Sequence, residues 1–210
     1  YIFLEMPMNN IDQIYSESLS INDFSKSYID YLTSVLNSIA LSDIEKFVEV
    51  LLEARERGSS IFFIGNGGSA ATASHFANDI AIGTRTHEKP FRAISLCDNQ
   101  SVITAIANDN GYEKIFSQQL KVLLKKGDVV VAISASGNSP NLIDAIDIAK
   151  NMSAITIGIS AFDGGKMKEM VDFSVHVPTE RGEYGPAEDA HMILDHLVSN
   201  YLMRLVKSSK

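Results

Sequence analysis

Two short segments rich in glycine, serine and asparagine are the residues of this sequence best suited to bind an anion. Gly65–Ala70, "GNGGSA", follows the apolar run "IFFI", and Ser134–Ser139, "SASGNS", follows "VVVAI". Glycine lets the backbone approach an anion, serine hydroxyls donate hydrogen bonds, and a following helix presents N–H groups at its positive end. The two segments therefore predict a phosphate site. Its candidate ligands are Asn66, Gly67, Gly68, Ser69, Ser134, Ser136, Asn138 and Ser139.

The residues around the first segment narrow the type of phosphate ligand. "GNGGSA" matches the dinucleotide pattern G-x-G-x-x-A, but Asp98 lies 33 residues after Gly65, where an acidic partner is expected about 20 residues on. The sequence holds no G-x-x-x-x-G-K-[S/T] loop for a nucleoside triphosphate. Each segment alone could also be a simple tight turn. Together they favour a compact sugar phosphate and no nucleotide cofactor.

Five short apolar runs, separated by helical patterns, predict the strands that position these loops. They are Ser60–Gly65, Phe91–Leu96, Asp128–Ser134, Ala154–Ser160 and Phe173–Pro178. Near-continuous apolar character is typical of parallel strands buried on both faces. We expect an α/β fold with a doubly wound five-stranded parallel sheet. In the flavodoxin-like order 2-1-3-4-5, both loops face one crevice between the first and third strands.

Helical patterns precede and follow the sheet. Asp23–Ile39 and Ser42–Arg57 come first, and Pro186–Val206 comes last. We expect one domain overall, with an N-terminal helical segment at 1–58 and the α/β domain at 59–210. The apolar stripes of the leading helices can be buried only against the sheet or another subunit, which favours a homo-oligomer. His191 lies within the stripe of the last helix and is expected in the core.

The composition excludes several classes of protein. A 210-residue chain with 45% hydrophobic residues can bury a core, and its net charge of −8 argues against direct nucleic-acid or anionic-membrane binding. No apolar run approaches the roughly 20 residues of a membrane span. The single Cys97 fits a reducing compartment. Since "YIFLEMPMNN" lacks the basic start of a signal peptide, we expect a cytoplasmic protein that begins natively at Met6 or Met8.

Four segments, in this order along the chain, carry a resemblance to a known family. They are "IGNGGSAATASHFANDI", "ITAIANDNGYEKIFSQQL", "GDVVVAISASGNSPN" and "TIGISAFDGGKM". Together they resemble the SIS (sugar isomerase) domain and, more closely, the phosphoheptose isomerase family. The resemblance implies interconversion of sedoheptulose 7-phosphate and D-glycero-D-manno-heptose 7-phosphate. It also implies a homotetramer with active sites at subunit junctions, and phosphate held by Ser134–Ser139 with Asn66 and Ser69 nearby.

The resemblance further implies one zinc ion per site. Carried over position by position, the ligands are His75, Asp79, Glu188 and His196. His75 and Asp79 are four residues apart and share a helix face. Glu188 and His196 are two turns apart but about 80° out of line, so the better-aligned Asp189 is a reserve candidate. Two imidazoles and two carboxylates suit zinc or another divalent transition metal.

Aldose–ketose isomerisation moves a proton between C1 and C2 through an enediol. By family analogy, Asp79 and His196 are the acid–base pair. Metal ligand and base are competing roles for Asp79, and both stay open. Structural alternatives also stay open: a solvated pair for His75 and Asp79, a helix-dipole acid for Glu188, and a core position for His196. His87 and His176 are expected on the surface or in a strand.

The chain departs from the family's usual residues in several places. Asp79 replaces Glu, and Glu188 stands where Gln is typical, so Glu188 is a candidate for substrate as well as metal. The usual Arg-Ile-Gln-Glu run is Pro186–Asp189 here. Asn99 occupies the position of a substrate-binding Asp, with Asp98 adjacent, so both are substrate-binding candidates.

The loop "TERGEYGPAED" is unusually acidic, and Glu180, Arg181 or Glu183 are candidates to replace the lost contacts. The departures leave two other functions open: an isomerase for a different sugar phosphate, and a non-catalytic SIS protein that senses sugar phosphates or binds a replication initiator. Retention of His75 together with Asp79 and His196 favours the enzyme.

Overall fold

The computed structural model of the protein describes residues 8–86 and 88–208. The predicted start at Met6 and the prediction for His87 lie outside these residues. Three helices open the described chain: α1 (Asn10–Glu17), α2 (Ile21–Asn37) and α3 (Leu41–Arg57). The bounds of α2 and α3 lie within two residues of the prediction. The short α1, which has no buried residue, was not predicted.

Five parallel strands form the sheet, as predicted. They are β1 (Ser60–Gly65), β2 (Arg92–Ser95), β3 (Val129–Ser134), β4 (Ile155–Ala161) and β5 (Phe173–Val177). Their order is β2-β1-β3-β4-β5, which confirms the predicted doubly wound arrangement. The central strands are apolar throughout because both of their faces are covered by helices. The ends of β1 and β3 are adjacent, so the loops that follow them share one crevice.

The remaining helices cover the two faces of the sheet. They are α4 (Gly68–Asn78), α5 (Gln100–Asn110), α6 (Ser117–Leu123), α7 (Pro140–Asn151), α8 (Gly165–Met170) and α9 (Tyr184–Ser208). One core cluster joins the sheet to α2, α3, α4 and α9 and includes Phe47, Phe76 and Leu194. The other joins it to the helices from α5 to α8 and includes Leu120 and Leu142. No helix of the described residues has the length and apolar character to cross a bilayer.

The N-terminal helices are held to the start of α9 by polar contacts. The Tyr28 hydroxyl donates to Asp189 at 2.6 Å, and the Tyr31 hydroxyl donates to Glu183 at 2.5 Å. Glu183 is 1% exposed and also accepts the backbone N–H of Asn10 at 2.8 Å. Since these helices share a core cluster with the sheet, the division of the chain at residue 58 stays a prediction.

Two of the histidines lie where the sequence predicted them. His191 is 0% exposed on the buried face of α9, and burial lowers its pKa to about 4. His176 lies in β5, where a ring nitrogen is 3.0 Å from the Ser160 hydroxyl.

Candidate active site

A cluster of imidazole and carboxylate groups lies where α4 packs against α9. His75 Nε2 is 3.3 Å from His196 Nε2, and the two rings meet edge to face. His75 Nε2 is also 3.6 Å from Asp79 Oδ2. Asp195 completes the group, whose ligand atoms all lie within 4.8 Å of one another. The structure therefore brings together three of the four predicted metal ligands and adds Asp195.

A change in helix pitch occurs at Asp79. The α-helix α4 ends at Asn78, and Asp79–Gly83 forms one wider, π-helical turn. Such turns are rare and are frequent at functional sites. A cleft opens beside Asp79, with Ser199 and Met203 of α9 on its other side. The carboxylate of Asp79 is thus reachable by a small molecule.

Asp195 was missed by the sequence analysis. It is 0% exposed, and neither carboxylate oxygen has a hydrogen-bond partner among residues 8–86 and 88–208. Burial raises its pKa to about 7, and the negative charge of Asp79 adds to the effect. An available signal was the acid inside the apolar run "MILDHLV", on the same helix face as buried His191 and Val198.

The cluster is a possible metal site. Imidazole nitrogens and carboxylate oxygens are ligands of divalent transition metals. A cation would also compensate the buried, unpartnered carboxylate of Asp195, which is otherwise costly to the fold. His196 is exposed at this site, so its alternative assignment as a core histidine is wrong.

The structure does not place Glu188 or Asp189 in the cluster. Glu188 lies two turns before His196, and its carboxylate touches the start of α4 so closely that a Cβ on Gly68 would overlap it. This carboxylate faces the positive end of α4. Asp189, the reserve candidate, accepts the hydrogen bond of Tyr28 instead.

The Ser134–Ser139 loop is held in place by its own hydrogen bonds. The N–H of Gly137 donates to Ser134 Oγ at 3.1 Å, and the side-chain amide of Asn138 donates to the carbonyl of Ser136 at 2.9 Å. The Oδ1 atom of Asn138 accepts the N–H of Lys166 at 3.1 Å. Ser136 Oγ accepts the N–H of Asn138 at 3.4 Å and keeps its own proton to donate to a ligand. Asn138 thus supports the loop through both ends of its side-chain amide.

The loop after β1 is bridged to the start of α7. Asn66 and Asn141 exchange two amide hydrogen bonds, at 2.9 and 2.7 Å, and Tyr112 donates to Asn66 at 3.0 Å. Asn66 therefore holds the two loops of the crevice at a fixed separation. Gly67 has a φ of +53°, a left-handed conformation, and the next residue, Gly68, begins α4 beside the 6%-exposed Ser69. Sequence reasoning missed Asn141 because its partner is 75 residues away.

Asp98 and Asn99 follow β2 at the same edge of the sheet. Asp98 accepts a hydrogen bond from the Ser74 hydroxyl of α4. The Oδ1 atom of Asn99 caps α5 by accepting the N–H of Val102 at 3.1 Å. Of the two substrate-binding candidates, Asn99 therefore uses its side-chain oxygen to cap α5, and Asp98 is held in position by Ser74 of α4.

Comparison with known proteins identifies the family. The SIS domain family model matches residues 24–161. A phosphoheptose isomerase from Helicobacter pylori (strain P12) is 34% identical over 193 residues, which are 92% of this chain and 95% of that protein. Another, from Aliarcobacter butzleri (strain RM4018), is 37% identical over 155 residues, 74% of this chain and 81% of that protein. The chain belongs to the phosphoheptose isomerase family.

A solved structure agrees with this assignment. The phosphoheptose isomerase GmhA from Neisseria gonorrhoeae superposes with a TM-score of 0.78 at 28% identity, covering 87% of this chain and 98% of that one. The predicted fold and family are thereby confirmed, and the chain is an aldose–ketose isomerase.

Of the three residues of the acidic loop that are candidates to replace lost substrate contacts, Glu183 is engaged by the protein itself. The carboxylate of Glu183 is occupied by three protein donors, Tyr31, Asn10 and the N–H of Glu180. Glu183 therefore fastens the N-terminal helices.

Proposed function

We propose that this isomerase interconverts sedoheptulose 7-phosphate and D-glycero-D-manno-heptose 7-phosphate through an enediol. The observation that carries the proposal is the convergence of Asp79 and His196 in one cluster, in a protein that also keeps the two anion-binding loops. A sugar-phosphate sensor needs the loops but has no use for an acid–base pair. The names of the curated relatives support the seven-carbon substrate.

The phosphate binds in the crevice and the reacting carbons lie at the cluster. α4 connects the two sites: it begins at Gly68, and His75 follows seven residues later, about 10 Å along the helix. This length is comparable with an extended seven-carbon sugar chain. The hydroxyls of Ser136 and Ser139 and the N–H groups at the start of α4 are the donors to phosphate.

Asp79 and His196 transfer the protons of the reaction, through the carboxylate oxygen and the ring nitrogen that a metal ion bound at the cluster would leave free. One group takes the carbon-bound proton, which exchanges with solvent while the enediol exists, and gives a proton to the neighbouring carbon, while the other moves a proton between the O1 and O2 atoms. A zinc ion held by the cluster would supply electrostatic stabilisation of the oxygen on which negative charge develops. His75 orients Asp79 and His196, since it lies within 3.6 Å of both.

A homotetramer is part of the proposal. An apolar groove runs between α3 and α9, and its side chains are largely exposed in the single chain: Leu41 at 78%, Leu197 at 47% and Tyr201 at 53%. Contiguous apolar surface of this kind is typical of subunit contacts. Sedimentation velocity should give the tetramer mass for the wild type and a smaller species for Tyr201→Glu.

The test is conversion of sedoheptulose 7-phosphate in D₂O, followed by NMR, by enzyme stripped of metal and by enzyme reloaded with zinc. We expect the heptose 7-phosphate, with solvent deuterium at C2, from the zinc-loaded enzyme. Conversion of a five-carbon ketose phosphate alone would replace the substrate in this proposal. Binding of sugar phosphates without any conversion would overturn the catalytic assignment in favour of a sensor.

A further inference from the structure

Asp195 has a buried carboxyl group whose charged form nothing else in the described chain compensates. Its side chain is fully buried on α9, and neither oxygen meets a donor within the described chain. Its charged neighbour is another carboxylate, Asp79. A buried charge normally persists only when it is paired or bound to a metal ion. Among the described residues, Asp195 therefore lacks the cationic partner that stabilises a buried carboxylate.

The spacing of the neighbouring groups matches that of ligands around one ion. Donors about 2.1 Å from a tetrahedral zinc ion lie roughly 3.4 Å from one another. The observed separations are 3.3 Å between His75 and His196 and 3.6 Å between His75 and Asp79. Asp195 offers an oxygen to this same group, within 4.8 Å of the other donors.

The acids on the preceding turns of α9 are engaged elsewhere. Glu188 lies against Gly68 at the start of α4, and Asp189 accepts the Tyr28 hydroxyl. Asp195 is thus the acid of α9 that faces His75 and Asp79.

We propose that Asp195 is a metal ligand, the second carboxylate of a site formed with His75, Asp79 and His196. It takes the position in the ligand set that the family resemblance gives to Glu188. Two carboxylates balance the charge of a divalent cation within this cluster. The inference rests on the proposed metal-dependent function, but the binding of metal can be measured without turnover.

The first experiment is a zinc titration of metal-stripped enzyme in competition with a chromogenic chelator. Asp195→Asn removes the charge at nearly constant volume, and we expect a loss of zinc affinity of at least about 100-fold. Zinc should raise the Tm of the wild type but not that of Asp195→Asn. The matched control is Asp189→Asn on the same helix, which should bind zinc as the wild type does. So should Glu188→Gln.

A second variant reports ligation directly, because it produces a new absorption band and does not rely on a loss of zinc affinity. In Asp195→Cys, a bound Co²⁺ ion should show a thiolate-to-cobalt charge-transfer band in the near ultraviolet. The wild type should lack this band, because its single cysteine, Cys97, contacts the carbonyl of Gly65 instead. Absence of the band in cobalt-loaded Asp195→Cys would overturn the assignment.

The outcomes separate this inference from the proposed function. Asp195-dependent zinc binding without conversion of sugar phosphate would support the ligand and refute the activity. Full activity with wild-type zinc affinity in Asp195→Asn would refute the ligand and leave the activity intact. Loss of zinc affinity in Glu188→Gln alone would also refute the ligand and restore the assignment made from sequence.

Discussion

The crevice between the two glycine-rich loops and the His–Asp cluster differ in how many of their polar groups have partners within the protein. In the crevice, neutral groups pair with one another. The side chain of Asn66 pairs with that of Asn141, and the side chain of Asn138 pairs with the backbone of Ser136 and Lys166. In the cluster, two carboxylates face each other beside two imidazoles, and buried Asp195 has no partner within the described residues. The asparagine side chains of the crevice are thus paired within the protein, whereas the cluster leaves a buried carboxyl group unpaired among the described residues.

This difference separates binding from chemistry. A preorganised, neutral crevice can hold a phosphate at little cost in rearrangement. A cluster of unsatisfied ionisable groups is costly to stability but supplies the charges and protons that the reaction needs. Variants of the two regions should therefore affect different quantities.

The largest effect is expected at the cluster. His196→Ala should lower kcat about 1,000-fold, because it removes one acid–base group, while the affinity for sugar phosphate changes little. Asp79→Asn should behave likewise. Steady-state kinetics and calorimetric binding give the two quantities, and Lys207→Ala, an exposed change on α9, is the control. Full activity in both cluster variants would refute the assignment of the cluster as the catalytic region.

The next largest effect is expected from the backbone of the crevice. Gly137 has a φ of +61°, and a Cβ there would overlap the carbonyl of Gly164. Gly137→Ala should lower the free energy of unfolding by about 3 kcal/mol and raise KM, since both the conformation and the contact are lost. Gly127 is the matched control, because it has a φ of +84° but nothing within 4 Å of an added Cβ.

Gly127→Ala should cost only about 1 kcal/mol, the conformational part alone. Urea unfolding of both variants measures the difference. Equal losses would show that the close approach of the two loops does not matter to the crevice.

Sequence reasoning succeeded where the signal is local and was incomplete where it is not. The bounds of β1, the strand order and the two anion-binding loops follow from apolar runs and glycine positions that lie side by side in the chain. The pairing of His75 with His196 spans 121 residues and was accessible only through the family resemblance.

Asp195 was missed because the metal ligands were carried over from the family position by position, although Asp195 lies four residues after His191 on the buried face of α9. Helix alignment with His196 favoured Asp189 as a ligand, but α2 packs so that Asp189 accepts a hydrogen bond from Tyr28. The helix α9 also begins at Tyr184, two residues before the predicted start, since Pro186 is tolerated in a first turn.

A smaller effect is expected when pH changes the free energy of unfolding, because the titrating group lies on α9 and not in the crevice. Burial lowers the pKa of His191 to about 4, so below pH 6.5 the unfolded chain binds a proton that the folded chain does not. The contribution of His191 to stability should therefore fall by about 2 kcal/mol between about pH 7.5 and about pH 5, whereas the contribution of Asp195, whose pKa burial raises to about 7, changes in the opposite sense over the same range. His191→Leu should remove this part of the loss in urea unfolding.

Ser136→Ala should keep the full pH dependence, because the crevice is lined by serine, asparagine and glycine. A pH dependence unchanged by His191→Leu would place the titrating group elsewhere.

The smallest effect is expected for one hydroxyl of the crevice. Ser136→Ala removes a proposed donor to phosphate and should weaken sugar-phosphate binding about 10-fold, in line with one charge-assisted hydrogen bond. Stability should stay within about 0.5 kcal/mol, since Ser136 Oγ only accepts a long contact from Asn138. Calorimetry against Ser42→Ala, an exposed serine of α3, measures the change.

The kcat of Ser136→Ala decides whether the two regions are independent. With the cluster intact, bound substrate should react at the wild-type rate, so KM rises and kcat stays. An equal fall in kcat would mean that phosphate contacts help to align the reacting carbons with Asp79 and His196, because binding energy far from the reaction can be used to orient the substrate. Unchanged affinity would place the phosphate outside the crevice.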